Sequence, residues 1–282
     1  MNERRVAAPG APRTRPGSHG IGVICPYDFG LDRELWRWVP EAVSLLLTRT
    51  PHHVLPVSVR QAETVSATPI VTACARALVE TSPAVVAYAC TSGSFVRGMA
   101  GEKDLRRAIE AAGVPLGLTT SGALLSALAG LGVRRLAVAT PYDEPVTARL
   151  GAFLREAGID VVSSAFAGLT ERIWAMEDAA VTHLVRQALP VSSDVDAVFV
   201  SCTNVPTLDL IEPLERELGI PVLSANQVTL WAALAAVGQR LATPGQRLAA
   251  VQPAASPTAA IGSFCSAHEA AGVEAAEVEA LT

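Results

Sequence analysis

Two short stretches hold the residue types that could do chemistry. Ala87-Tyr88-Ala89-Cys90-Thr91-Ser92-Gly93-Ser94 is an apolar run that stops at a thiol followed by hydroxyls, and Phe199-Val200-Ser201-Cys202-Thr203-Asn204 repeats the pattern. A buried parallel strand looks like this where it delivers its last side chains to a site at its carboxyl end. A thiol in that place, with a helix following, would face backbone amides and the positive end of a helix dipole. Both lower its pKa and favour the reactive thiolate. Cys90 and Cys202 are therefore the expected catalytic residues. Thr91, Ser92, Thr203 and Asn204 add hydroxyl, amide and backbone N–H donors suited to a carboxylate, although the same residues could simply cap helices.

The corner Pro26-Tyr27-Asp28 recurs as Pro141-Tyr142-Asp143. The chain has three tyrosines, so two in equivalent corners are informative. A phenol at such a corner could hydrogen-bond a substrate carboxylate or an enolate oxygen; the competing reading is a turn tyrosine packed on the sheet edge. The other cysteines read as packing: Cys25 ends a strand, Cys74 falls inside a helix and Cys265 lies near the C-terminus. No GxGxxG motif follows a strand and no Walker-type loop is present. His52-His53 sit in a turn without ligand partners and His183 is alone on a helix. Chemistry without cofactor or metal is the expectation.

The elements that must position these residues alternate between strand and helix. In the first half the pattern predicts strands at Ile21–Cys25, Val54–Val59, Ala84–Ala89 and Val114–Leu118. Helices are predicted at Leu31–Leu47, Ala67–Leu78, Glu102–Ala112 and from a Ser121 cap to about Leu131. The second half begins the order again with strands at Arg135–Ala139, Ile159–Ala165, Ala197–Ser201 and Ile220–Ser224, and with helices at Glu144–Glu156, Glu177–Leu189, Leu208–Leu218 and Gln227–Val237. Such alternation argues for parallel sheets covered by helices. Landmarks in the two halves keep a nearly constant offset: Val23 to Val138 is 115 residues, Cys90 to Cys202 is 112, and Val114 to Ile220 is 106. The fold class is therefore α/β, with two pseudo-symmetric Rossmann-like lobes, parallel sheets and a cleft between them. The expected organisation is an N-terminal arm (1–19), a first lobe (20–132) carrying Cys90, a second (133–241) carrying Cys202, and a low-complexity tail (242–282). The last helix is free to pack back on the first lobe.

Composition narrows the function classes. The 282 residues are 50% hydrophobic and carry a formal net charge of −5, enough for a large core. No basic stripe interleaved with aromatics appears, so nucleic acid is not expected as a partner. The Arg-rich start lacks the apolar segment of a secretory signal, and no apolar run reaches the roughly 18 residues of a membrane span. Five cysteines without CxxC spacing argue against a disulfide framework and for a cytoplasmic protein with free thiols.

Ala89-Cys90-Thr91-Ser92-Gly93, Thr140-Pro141-Tyr142, Ser201-Cys202-Thr203, and the run from Pro221 through Asn226-Gln227 to Trp231 together resemble the aspartate/glutamate racemase superfamily. The nearest branch is that of maleate cis-trans isomerases, arylmalonate decarboxylases and ectoine-utilisation proteins, and the similarity spans about Gly20 to Gly238. The resemblance implies a small mono- or dicarboxylate substrate, no cofactor and a homo-oligomer. It implies Cys90 as nucleophile and Cys202 as acid/base partner, with Tyr142 and the amides near Thr91, Ser92 and Thr203 holding carboxylates and an enolate-like intermediate. The decarboxylases of the branch keep only the second-half cysteine, so Cys90 weighs against decarboxylation. There are two departures. Asp28 stands where the isomerases usually carry asparagine. Their second-lobe loop asparagine is replaced by Gly168-Leu169-Thr170-Glu171-Arg172-Ile173-Trp174, with Arg172 or Glu171 the candidate to fill the place. The expected function is cis-trans isomerisation of a maleate-type acid. The alternatives are a racemase or decarboxylase of an α-substituted acid, and a carboxylate-binding protein without turnover.

Overall fold

The computed structural model describes residues 19–190 and 195–252. Its strands form two four-stranded parallel sheets of identical topology. The first comprises β1 (His19–Cys25), β2 (Val43–Arg49), β3 (Val85–Tyr88) and β4 (Gly117–Thr119) in the order β2-β1-β3-β4. The second comprises β5 (Arg135–Thr140), β6 (Asp160–Phe166), β7 (Ala197–Val200) and β8 (Val222–Ser224) in the order β6-β5-β7-β8. In both, the chain leaves the first strand toward one edge and returns to build the other. The switch point, where ligands bind in open α/β sheets, therefore falls between β1 and β3 and between β5 and β7. Pairing of Ile24 with Tyr88 and of Ala139 with Val200 brings each Pro-Tyr-Asp corner beside a cysteine-bearing strand end.

The helices are α1 (Asp32–Trp38), α2 (Val59–Val65), α3 (Thr68–Val79), α4 (Thr91–Phe95), α5 (Gly98–Ala111), α6 (Thr120–Leu131), α7 (Glu144–Glu156), α8 (Asp178–Ala188), α9 (Leu208–Leu218) and α10 (Ala225–Ala236). Most present one apolar face to a sheet. The equivalent helices α6 and α10 differ, being apolar nearly all round, as only a helix covered on every side can be. They pack against each other, with Thr120 and Thr229 sharing a hydroxyl hydrogen bond of 2.8 Å. One hydrophobic core runs continuously through both lobes. Glu34 of α1 adds a polar latch at the seam, accepting from the Thr207 N–H and from the Asn226 amide. None of the described helices is long and apolar enough to cross a membrane.

The structure corrects several predicted elements. The helix expected over Leu31–Leu47 ends at Trp38, because Pro40 disfavours helical backbone in the residue before it; the apolar run beyond it is β2. The strand expected over Val54–Val59 is absent: residues 54–58 are a loop and Val59 opens α2, which Ser58 caps by accepting from the Gln61 N–H. The cap of α6 is Thr119, not Ser121, whose hydroxyl instead meets Ser94 at 2.6 Å. The tail expected from residue 242 is packed as far as 252: Leu248 is buried, and the Trp231 indole donates to the Val251 carbonyl at 2.9 Å. Residues 253–282, with Cys265, and all but the last residue of the expected N-terminal arm lie outside the described residues.

Candidate active site

Cys90 ends the extended segment after β3 and is the N-cap of α4, its sulfur accepting from the Gly93 N–H at 3.4 Å and lying 3.8 Å from the Ser92 hydroxyl. Gly93 is required to be small. A Cβ there would lie 2.4 Å from the Tyr88 hydroxyl and 3.1 Å from the Cys90 sulfur. Beneath α4, Ser94 donates to the Thr91 carbonyl at 2.9 Å and is held in turn by Ser121. Cys202 reaches the same space from β7 by different means. Its φ is +83°, a conformation that a residue with a side chain adopts at a cost of about 1–3 kcal/mol and that clusters at functional sites. Its sulfur accepts from the Asn204 N–H at 3.4 Å.

Both sulfur-bearing residues line one cavity of about 20 Å³, with Asp28, Gln61, Thr91 and Ser92 from the first lobe and Tyr142, Thr203 and Asn204 from the second. Pro26, Val57 and Ile173 supply apolar wall. The space is that of about one water molecule, and the Val57 N–H bonded to the Thr170 carbonyl at 2.8 Å helps close it from both lobes. Larger depressions of about 190 and 440 Å³ lie near Trp231 and beside β6; neither is lined by a cysteine. The small cavity is lined by two residues with deeply buried hydroxyls, each about 1% exposed: Thr91 Oγ1 has no hydrogen-bond partner among the described residues, and the Tyr142 hydroxyl stands beside the Cys202 sulfur and the Ser201 hydroxyl.

Burial sets the electrostatics. Desolvation pushes the Cys202 thiol up to about 12, against the pull of the Asn204 N–H. It raises Cys90 as well, outweighing the Gly93 N–H, and the neighbouring Asp28 charge adds to the rise at both sulfurs. The expected lowering by helix termini is thus overturned. Helix α4 is a five-residue turn, the next helix after Cys202 starts only at Leu208, and loss of water dominates over both. Burial likewise raises the Tyr142 phenol well above its ordinary range and raises Asp28. Tyr142 is a hydrogen-bond donor throughout the neutral range.

Not every residue singled out from the sequence faces this space. Arg172 is exposed, with φ +52° and its guanidinium stacked 5.8 Å from the Trp174 ring. Glu171 is exposed too, and the neighbouring Ile173 lines the cavity instead. Asn204 lines it, but its side-chain amide is spent on the opposite lobe: Oδ1 accepts from the Gly30 N–H at 2.9 Å and Nδ2 donates to the Asp28 carbonyl at 3.2 Å. The Thr203 hydroxyl is similarly committed to the Ala89 carbonyl at 3.2 Å. Both therefore position the first lobe's loops. Tyr27 turns away, donating to the Leu55 carbonyl and packing edge-on against His52. Gln61 and Val57 were not singled out, because the stretch before α2 carries no chemical motif and reads as a strand. The described residues contain no cluster of three or more histidine, cysteine or acidic side chains able to hold a metal ion.

Two α/β lobes of the same strand order bring one cysteine each to the lining of a single small cavity. The chain belongs to the arylmalonate decarboxylase family, whose model matches residues 59–248. Arylmalonate decarboxylase of Bordetella bronchiseptica is 39% identical over 167 residues, 58% of this chain and 69% of the relative. Maleate isomerase of Nocardia farcinica is 30% identical over 186 residues, 61% and 71% of the two chains. Among solved structures, a doubly substituted arylmalonate decarboxylase in its liganded form matches with a TM-score of 0.76 at 31% identity, covering 82% of this chain and 99% of that one. A cysteine-to-serine variant of the N. farcinica maleate cis-trans isomerase, with a covalently bound succinylcysteine intermediate, matches with a TM-score of 0.72 at 25% identity, covering 82% and 97%. The resemblance to the racemase-like superfamily holds, and the chain is an enzyme of the maleate isomerase and arylmalonate decarboxylase family.

Proposed function

We propose that this enzyme isomerises a small cis-unsaturated carboxylate to its trans form, using Cys90 as nucleophile and Cys202 as acid and base. The observation that carries the reading is the arrival of both cysteines, one from each half, at one cavity that Thr91 and Tyr142 also line. The Cys90 thiolate forms a carbon–sulfur bond at one alkene carbon, and the electron pair moves onto the neighbouring carbon and its carboxylate. The Cys202 thiol gives that carbon its proton, leaving a saturated thioether. Rotation follows about what is now a single bond. The Cys202 thiolate then recovers the proton, the carbon–sulfur bond breaks, and the trans alkene leaves. Cys90 suits the attacking role because the Gly93 N–H and the Ser92 hydroxyl stand at its sulfur. Cys202, raised to about 12, suits the role of proton donor. The hydroxyls of Thr91 and Tyr142 would steady the charge on the carboxylate as the enolate-like intermediate forms. The covalent succinylcysteine of the N. farcinica isomerase variant is the kind of adduct this sequence of steps requires. The four described cysteines are free, which suits a cytoplasmic enzyme.

A second reading, decarboxylation or racemisation of an α-substituted acid, is favoured by the 39% identity to arylmalonate decarboxylase. The two readings separate in deuterated buffer. Proton NMR of the enzyme with cis-unsaturated acids, α-substituted acids and substituted malonates reports isomerisation, exchange and loss of carbon dioxide together. The isomerase reading predicts trans product from a cis acid and no decarboxylation. Decarboxylation of a malonate with no cis-trans conversion would overturn it.

A further inference from the structure

The duplicated Pro-Tyr-Asp corner places an aspartate in each lobe, and the two do different work. Asp143 caps α7, its Oδ1 accepting from the Val146 N–H at 3.1 Å. Asp28 caps nothing: α1 starts after Leu31 with no side-chain cap. The Asp28 carboxylate accepts from its own backbone N–H and makes no ion pair among the described residues. Yet its loop is fixed, because the Asn204 amide of the other lobe grips the Asp28 carbonyl and the Gly30 N–H. The result is a half-buried carboxylate held against the cavity wall with no structural task.

No arginine, lysine or histidine lines the cavity to compensate it. An ionised carboxylate only accepts hydrogen bonds, and a second carboxylate brought beside it is repelled. The opposite need is met elsewhere. Thr91 Oγ1, which has no partner among the described residues, and the Tyr142 hydroxyl, which stands beside the Cys202 sulfur, are buried donors fit for one carboxylate. The site therefore has donors for one anionic arm and an acceptor for a second arm that carries N–H groups. An ammonium arm would meet the acceptor but would not activate an alkene toward thiolate addition; a carboxamide does both.

Resting on the isomerase reading above, we propose that Asp28 is a specificity-determining residue that takes the N–H donors of a carboxamide arm, so that the substrate is the half-amide of a cis-unsaturated dicarboxylic acid and not the dicarboxylate dianion. The test uses saturated analogues that cannot react: succinamate and succinate, titrated into the full-length enzyme by calorimetry at neutral pH. Wild type is expected to bind succinamate at least tenfold more tightly than succinate. Asp28→Asn, which turns the acceptor into a mixed donor and acceptor of the same shape, should tighten succinate at least tenfold and weaken succinamate. Asp28→Ser, which removes the charge without adding an amide, should also erase the preference, and it serves should Asp28→Asn fail to fold. Equal or tighter binding of succinate by wild type, a parallel change for both acids in the variants, or binding of neither would overturn the proposal. Because the probes are unreactive, their binding judges Asp28 even if the enzyme proves to be a decarboxylase. Conversion of maleamate and maleate, followed by NMR, judges the isomerase reading separately.

Discussion

Each sulfur sits where its own ionisation is opposed, and that opposition governs how the enzyme should respond to pH. A thiol whose folded pKa is raised keeps its proton as pH climbs past the ordinary thiol value. The Cys90 thiolate that the proposed reaction needs is therefore scarce at neutrality and grows with alkalinity, while Cys202 keeps its proton until about 12. We expect kcat/KM to be still rising at about pH 9, the ordinary value for a cysteine, with any fall confined to the region of the Cys202 titration. A plateau reached at neutral pH would show that Cys90 is not the titrating nucleophile, or that something outside this site ionises it. The two constants would belong to the coupled pair. At this scale the sequence was informative about position and misleading about environment. Two cysteines after equivalent apolar runs are legible as a pair. Their pKa direction is not, because it depends on how much water the opposite lobe removes. Arg172 failed for a related reason: its left-handed backbone and its stacking on Trp174 turn it from the cavity, and neither is written in residue type.

The strand-to-helix turn after β3 is the element on which the proposed nucleophile depends. Gly93 permits the backbone to pass under the Cys90 sulfur and the Tyr88 hydroxyl. Gly93→Ala must displace one of them. Moving Tyr88 breaks its 3.0 Å hydrogen bond to the Val65 carbonyl; moving the thiol spoils the line of attack. We expect a stability loss of about 1–3 kcal/mol from overpacking, read by thermal or denaturant unfolding. We also expect a roughly 100-fold fall in kcat, the scale of effect that follows from misplacing a reacting group by about 1 Å. Unchanged kcat would mean that the sulfur's position is not what this turn secures. Most elements were legible in the sequence, because strands ending in small polar residues and helices ending in glycine announce themselves. Gly132 and Gly219, for example, close α6 and α9 in the left-handed conformation. The error over Leu31–Leu47 came from weighing apolar content above Pro40. The short helix α2 was missed because its cap, Ser58, follows a proline-rich stretch that imitates a strand.

Across the whole molecule, duplication supplies the frame and asymmetry supplies the chemistry. The repeated landmarks made two similar sheets legible, and the shared order of strands follows from that. What could not be read was where the halves diverge: Tyr142 enters the cavity while Tyr27 binds Leu55, and Asp28 faces the cavity while Asp143 caps a helix. These differences depend on how the lobes dock through α6 and α10, a contact between residues about a hundred positions apart.

The central claim is that both sulfurs act on a single bound substrate, and it is tested most directly by trapping. Cys202→Ser should retain the attacking thiol and lose the efficient proton donor and acceptor. Incubated with a cis-unsaturated acid or its half-amide, denatured and examined by intact-mass and peptide mass spectrometry, this variant is predicted to carry one substrate mass on Cys90. Cys90→Ser should carry none, and turnover in either variant should fall by about 100-fold or more. Full turnover in either single variant, or an adduct confined to a cysteine outside the cavity, would contradict the account.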